Sequence, residues 1–392
     1  MAHAQHPGSA LHPSSSPISG SAASPVGSAN SGAAPTQSSP NERPQKERAG
    51  AIIVDKNRAQ SKRLARVLSS AGYATKTLEE DSAPALSSLL SASPEISSWL
   101  LLADATAAQT LYSVLNRPDT RRSSRGLIYC GLSGATGAAP PAPAPAAAAG
   151  TSAEEVDVAA LCEHTGIVGL LNGRQSRDFD LYLLAIANYL RGQPLLPLQG
   201  FLLWGAAAYS TQVSNVAGRD AAEARLVKLC TDQLGVSSRI ANSVGEVIHE
   251  LLTNAMYDAP IDAQGRAIYS HDRTAPIQLN NEDRVTFRYG TDGTRLVVET
   301  ADRFGRLRRS DFVRSLRRAA AGQVNRSAGG AGIGLSMIYR TANVLQVDVD
   351  PGQRTRVTAV FDLDSARATE GARATRTVIF PDLTIASARR DP

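Results

Sequence analysis

The first 48 residues contain almost no large apolar side chains, being built from Ser, Ala, Pro and Gly; such a segment cannot bury enough surface to offset its ordering entropy, so the pattern predicts a disordered tail. From Ala51 the pattern changes to short apolar runs alternating with helical segments, the signature of an α/β fold around a parallel sheet. Ala51-Ile52-Ile53-Val54-Asp55 reads as a buried strand, and Leu64, Val67 and Leu68 then recur at helical spacing. Further strands are expected at Trp99 to Ala103, ending at Asp104, at Leu127-Ile128-Tyr129-Cys130 and at Gly166-Ile167-Val168-Gly169-Leu170. A Pro/Ala-rich insertion occupies 134–150, and an amphipathic helix at 179–190 closes the unit.

Beyond it, 219–234 reads as a helix with Ala222, Leu226, Leu229 and Cys230 inward. A second helix starts at an N-cap, Ser237 or Ser238, and runs to Tyr257. Its positions Ile240, Val244, Val247, Ile248, Leu251, Leu252, Ala255 and Met256 repeat at three and four residues and define one buried stripe. Glu246, Glu250 and Asn254, each four apart, share another face. Paired strands at Thr286 to Tyr289 and at Leu296-Val297-Val298-Glu299-Thr300 flank the turn Asp292-Gly293, the second delivering Asp302. A helix after Gly334 carries Ile338, Ala342 and Leu345 inward, and a last strand passes through Thr355 and Val357.

Composition narrows the classes. An apolar content of 42 % suits a soluble protein, and no run of about 18 uncharged apolar residues could span a bilayer. Three scattered cysteines, Cys130, Cys162 and Cys230, and an N-terminus without a basic-then-apolar leader point to the cytoplasm. The net charge of +5 gathers partly between Arg303 and Arg318, where aromatics are too sparse for a base-stacking platform, so no nucleic-acid partner and no membrane is expected. His3, His6 and His12 lie in the tail without a scaffold to hold a metal.

Residues 50–192 resemble the receiver domain of two-component response regulators. In that family acidic residues at strand ends hold Mg²⁺ and an aspartate accepts a phosphoryl group. Asp55 matches the first acid, Asp104 the acceptor and Ser133 the following hydroxyl, but Lys56 replaces the second acid and Asn172 stands where a lysine is expected. Transfer needs cations to offset the charge on the moving oxygens, so these departures imply a degenerate, protein-binding version.

Residues 205–364 resemble the GHKL superfamily of histidine-kinase-like ATPase domains. Glu250-x-x-x-Asn254 is similar to its N box, Asp302-Arg303-Phe304-Gly305 to its first glycine box, short of the usual second glycine, and Gly330-x-Gly332-x-Gly334-Leu335 to its second. The resemblance implies a two-layer α/β sandwich of Bergerat type that binds ATP and Mg²⁺. Asn254 would hold the Mg²⁺, Glu250 would act as the catalytic base, and Asp302 would accept from the adenine amino group. Gly305, Gly330, Gly332, Gly334 and Thr355 would line the nucleotide, and 309–328 would form a mobile lid. No P-loop pattern occurs, and the glycine run lacks the preceding strand of a Rossmann fingerprint.

His249-Glu250-x-x-Thr253 superficially resembles a histidine-kinase phosphoacceptor box, but Asn254 follows in place of proline, so His249 reads as part of the N-box helix. The layout is closest to the anti-sigma-factor serine kinases, which implies a signalling protein that phosphorylates a partner's serine or threonine. A non-catalytic scaffold is the alternative, and a homodimer is possible on either reading. The expected organisation is a tail over 1–48, a receiver-like domain over 49–195, an ATP-binding domain over 200–366 and an extension over 367–392.

Overall fold

The computed structural model describes residues 48–121, 123–130, 157–164, 166–173, 178–321, 334–363 and 376–381. Residues 1–47 of the expected tail, the 134–150 insertion, Ser133, Gly330 and Gly332 lie outside the described residues, while Arg48, expected in the tail, begins the first strand.

The elements in chain order are β1 (Arg48–Val54), α1 (Arg58–Ser70), β2 (Ala74–Leu78), α2 (Ala83–Ser91), β3 (Ile96–Asp104), α3 (Ala108–Leu115), α4 (Pro118–Arg121), β4 (Ser124–Cys130), α5 (Val158–Glu163), β5 (Ile167–Asn172), α6 (Phe179–Tyr189), β6 (Ala208–Val213), α7 (Val216–Lys228), α8 (Ser238–Thr253), β7 (Val285–Thr291), β8 (Arg295–Asp302), α9 (Arg309–Ala320), α10 (Gly334–Thr341), β9 (Val344–Asp350), β10 (Arg354–Asp362) and β11 (Thr377–Ile379). The fold is mixed α/β, as the alternation of patterns predicts.

The strands form one sheet in the order β2-β1-β3-β4-β5-β11-β9-β10-β8-β7-β6. The first five are parallel in the doubly wound order 2-1-3-4-5, which places the carboxyl ends of β1 and β3 at the topological switch point. The last five are antiparallel to one another. β11 joins the two sets, lying antiparallel to β5 and parallel to β9. Its close approach requires Gly169, where a Cβ would stand 2.7 Å from the Val378 carbonyl.

Because side chains alternate across a strand, the sheet has two faces. Ile52, Leu101, Ile128, Leu170, Val298, Val347 and Ala359 share one core with α2, α3, α5 and α7 to α10. Ile53, Leu102, Tyr129, Leu171, Val297 and Val360 share the other with α1, α6 and the 3-10 turn Leu198–Phe201. In the antiparallel half, α7 to α10 thus cover a single face, the layered arrangement expected there.

Local departures have physical reasons. The helix after Gly334 stops at Thr341, and Leu345, expected on it, faces the same core from β9 instead. Helix α8 is capped by Ser237, whose Oγ accepts from the Ile240 amide, and its last turn widens into a π-turn over Asn254–Asp258. Single π-turns inside helices are frequent at functional sites.

Candidate functional site

The parallel half places Asp55 and Asp104 beside each other's strands, but both carboxylates are engaged. Asp55 is buried; its Oδ1 accepts from the Asn57 amide at 2.7 Å and its Oδ2 from the Tyr129 hydroxyl at 2.6 Å. Burial and the hydrogen bond to Asp55 push the Tyr129 phenol far above its ordinary value, so it stays a donor. Asp104 caps the following 3-10 turn, its Oδ1 accepting from the Thr106 amide at 3.1 Å and hydroxyl at 2.9 Å. Lys56 is exposed, and Asn172 is buried with its backbone N–H donating to the Thr377 hydroxyl of β11 at 3.1 Å.

The antiparallel half differs. Helix α8 presents Glu250 towards the start of α10: a Cβ built on Gly334 would lie 2.0 Å from Glu250 Oε2, so the carboxylate fills the space that a side chain would need. Glu250 Oε2 is buried without a hydrogen-bond partner among the described residues, and so is Asn254 Nδ2 one turn on. Burial raises the Glu250 carboxyl above its ordinary value, with Arg273 and His249 offsetting part of the effect. Glu246, on the same helix face, is exposed and takes no part.

The other side of Asn254 is occupied. Arg273 reaches in from the loop before β7, its Nη2 donating to Asn254 Oδ1 at 3.5 Å. Its Nε donates to Asp258 Oδ1 at 3.2 Å, and its Nη2 also pairs with Asp258 Oδ2. Burial raises the Asp258 carboxyl, and Arg273 draws it partly back. Arg306 donates to the Asp258 carbonyl at 3.4 Å. Arg273 carries no sequence signal, since its loop has no periodicity; Arg306 lies in the basic stretch from Arg303 to Arg318, and Asp258 continues the four-residue register of Glu250 and Asn254.

Asp302 ends β8 on the helix-covered face, opposite Thr355 of β10 in the ladder. Its Oδ1 accepts from the amides of Phe304 at 2.8 Å and Gly305 at 3.3 Å. Burial raises its carboxyl, and those amides together with Thr355 counteract it. Gly305 has φ +62°, and a Cβ there would meet the Asp350 carbonyl at 2.1 Å, so this glycine is fixed by the close approach of the β9–β10 turn. The structure therefore sets Glu250, Asn254 and Gly334 in one group, and Asp302, Gly305 and Thr355 in another.

Two further readings are sharpened. His249 turns away from Glu250 to α7, with Nδ1 3.0 Å from Glu223 Oε2. The part of the expected lid that is described, α9, is anchored. Arg309 donates to the carbonyls of His164 at 2.8 Å, Ile167 at 2.5 Å and Phe380, and Arg317 pairs with Glu163 at 2.6 Å. Ser315 of α9 also accepts from the Ser336 amide of α10 at 2.8 Å. The start of the expected lid is thus a strut to the parallel half; 322–328 lie outside the described residues.

No protein-family model matches the chain, and no curated protein does. Among solved structures, a chain of the SiaB–SiaC complex from Pseudomonas aeruginosa aligns with TM-score 0.29 and 19% identity, over 46% of this chain and 98% of that one. A response regulator receiver domain protein from Clostridium thermocellum aligns with TM-score 0.25 and 13% identity, over 37% of this chain and 97% of that one. A CheY-like receiver domain protein from Methanospirillum hungatei JF-1 gives TM-score 0.26 and 14% identity, over 37% and 98%. Among the described residues no helix is long and apolar enough to cross a membrane.

Proposed function

We propose that the antiparallel half binds ATP and that the chain is a signalling kinase that phosphorylates a serine or threonine of a regulatory partner protein. The observation that carries this reading is the pair of buried, unpartnered atoms one helical turn apart, the acceptor Glu250 Oε2 and the donor Asn254 Nδ2. Buried polar atoms are paired in the great majority of cases, so an orphaned acceptor beside an orphaned donor calls for a ligand that supplies both complements. A hydroxyl donating to Glu250 and a phosphate oxygen accepting from Asn254 meet that demand.

On this reading the partner's hydroxyl oxygen attacks the γ-phosphorus, its proton passes to Glu250, and the bond to the β-phosphate oxygen breaks to release ADP. A carboxyl whose proton affinity is raised by burial is the better base near neutrality. Asp302 would accept from the adenine amino group, and Thr355, its ladder neighbour, would line the nucleotide. The Mg²⁺ expected at Asn254 does not fit the donor set, because the amide oxygen faces the Arg273 guanidinium, and no step is routed through it.

A second reading, a docking module without turnover, is favoured by the Ser315 cap on Ser336, which removes one amide from the start of α10, and by the anchoring of α9. Titration of the full chain with ATP and GTP, followed by incubation with labelled ATP and cell extract, separates the two. The kinase reading expects binding selective for ATP and a labelled protein band that disappears with Glu250→Gln. Binding without any labelled band leaves the docking module, and absence of ATP binding removes the nucleotide proposal altogether.

A further inference from the structure

We infer that the site holds nucleotide phosphates without a bridging metal ion, with Asn254 acting as a hydrogen-bond donor to phosphate and Arg273 as the positioning residue that fixes it in that role. The inference rests on the nucleotide reading above and specifies how that site recognises its ligand.

A side-chain amide has two unlike ends. Only its oxygen can ligate a hard cation, and only its nitrogen can donate to a phosphate oxygen. Which end faces the site is ordinarily ambiguous, but here chemistry decides it. A guanidinium donates and never accepts, and it does not lose its proton in proteins. Arg273 Nη2 lies 3.5 Å from the Asn254 amide, so the end facing it must be Oδ1. Nδ2 is thereby turned to the side where it has no partner among the described residues.

Arg273 is not poised to leave. Its side chain is only 10% exposed and it grips both oxygens of Asp258, whose own carbonyl is held by Arg306. A Mg²⁺ on Asn254 Oδ1 would share one oxygen with a fixed positive group, and displacing that group would strand the partly buried Asp258 carboxylate. Arg273 therefore engages the amide oxygen that a metal would need, and it already supplies positive charge beside Asn254. The resemblance to Mg²⁺-dependent domains predicts the residue but not its orientation, which depends on a loop arginine nineteen positions away.

The test is calorimetric titration of the full chain with ATP, once in excess EDTA and once in excess magnesium. The expected result is binding in both, with dissociation constants within about threefold of each other. Binding in magnesium that weakens by more than about threefold in EDTA overturns the inference and leaves the nucleotide reading standing. No binding in either buffer overturns both. Two variants read the orientation of the amide directly. Asn254→Asp puts a charge against the phosphates but offers a metal ligand, so it should lose binding in EDTA by about tenfold or more and regain it with magnesium. Arg273→Met releases Oδ1 and should make affinity magnesium-dependent; unchanged binding of Asn254→Asp in EDTA would refute the donor role even if Arg273→Met does not fold.

Discussion

The two halves of the sheet each carry carboxylates where chemistry is expected, and Asp55 of the first and Glu250 of the second are held in opposite ways. In the parallel half, Asp55 has a partner on each oxygen and Asp104 caps a turn. In the antiparallel half, Glu250 and Asn254 each retain a buried atom with no partner among the described residues. A satisfied carboxylate contributes to stability and has little to offer a ligand, whereas an orphaned one weakens the fold until something binds. The first half reads as a scaffold and the second as a site, although the sequence marks acids in both.

The largest effect that sharpens this contrast is expected from Gly334→Ala. The new Cβ meets the end of the Glu250 side chain at 2.0 Å, and that flexible end can swing aside while the backbone stays put. On the proposed kinase reading, displacing Glu250 should lower phosphoryl transfer by about a hundredfold while the melting temperature changes little. A variant that instead unfolds would show that the contact is structural and that the two halves are alike after all.

The complementary change is Asp55→Ala. It leaves the Tyr129 hydroxyl buried without its acceptor and removes the partner of the Asn57 amide, so unfolding in urea should show a loss of about 2 kcal/mol. ATP binding should be unaffected. Incubating the parent protein with acetyl phosphate provides the converse check, since a phosphate adduct on Asp104 found by mass spectrometry would break the comparison from the other side.

What could be read from the sequence follows the same division between local and distant causes. Helix α8 was legible because its apolar stripe and Ser237 cap are local patterns, and β8 delivers Asp302 where the turn at Asp292-Gly293 predicts it. β2 is marked by no apolar run, since Ala74-Thr75-Lys76-Thr77-Leu78 is half-exposed throughout, and β6 is an exposed edge with only Val213 buried. β11 has three residues and owes its existence to neighbours near 170 and 345, far away in sequence. The site divides likewise: Glu250 and Asn254 share a helical register, while Arg273 reaches them from an aperiodic loop and reverses what Asn254 offers.

The smallest expected effect concerns stability alone and isolates the cost of the orphaned carboxylate. Burial raises the Glu250 proton affinity in the folded protein above its unfolded value, so the folded state binds the proton more tightly. The stabilising contribution of the protonated group is complete below the ordinary carboxylate range and is lost as the pH rises through the raised folded value. Glu250→Gln keeps the shape, removes the charge and abolishes this dependence. Its melting temperature, measured without nucleotide, should exceed that of the parent near neutral pH, and the difference should vanish in acid, where Glu250 is protonated in both states. Asp55→Asn should show no such gain at neutral pH, because its carboxylate is paired on both oxygens and the Asn57 amide and Tyr129 hydroxyl both need an acceptor. A gain for Asp55→Asn equal to that for Glu250→Gln would mean that burial alone, and not the missing partner, separates the two halves.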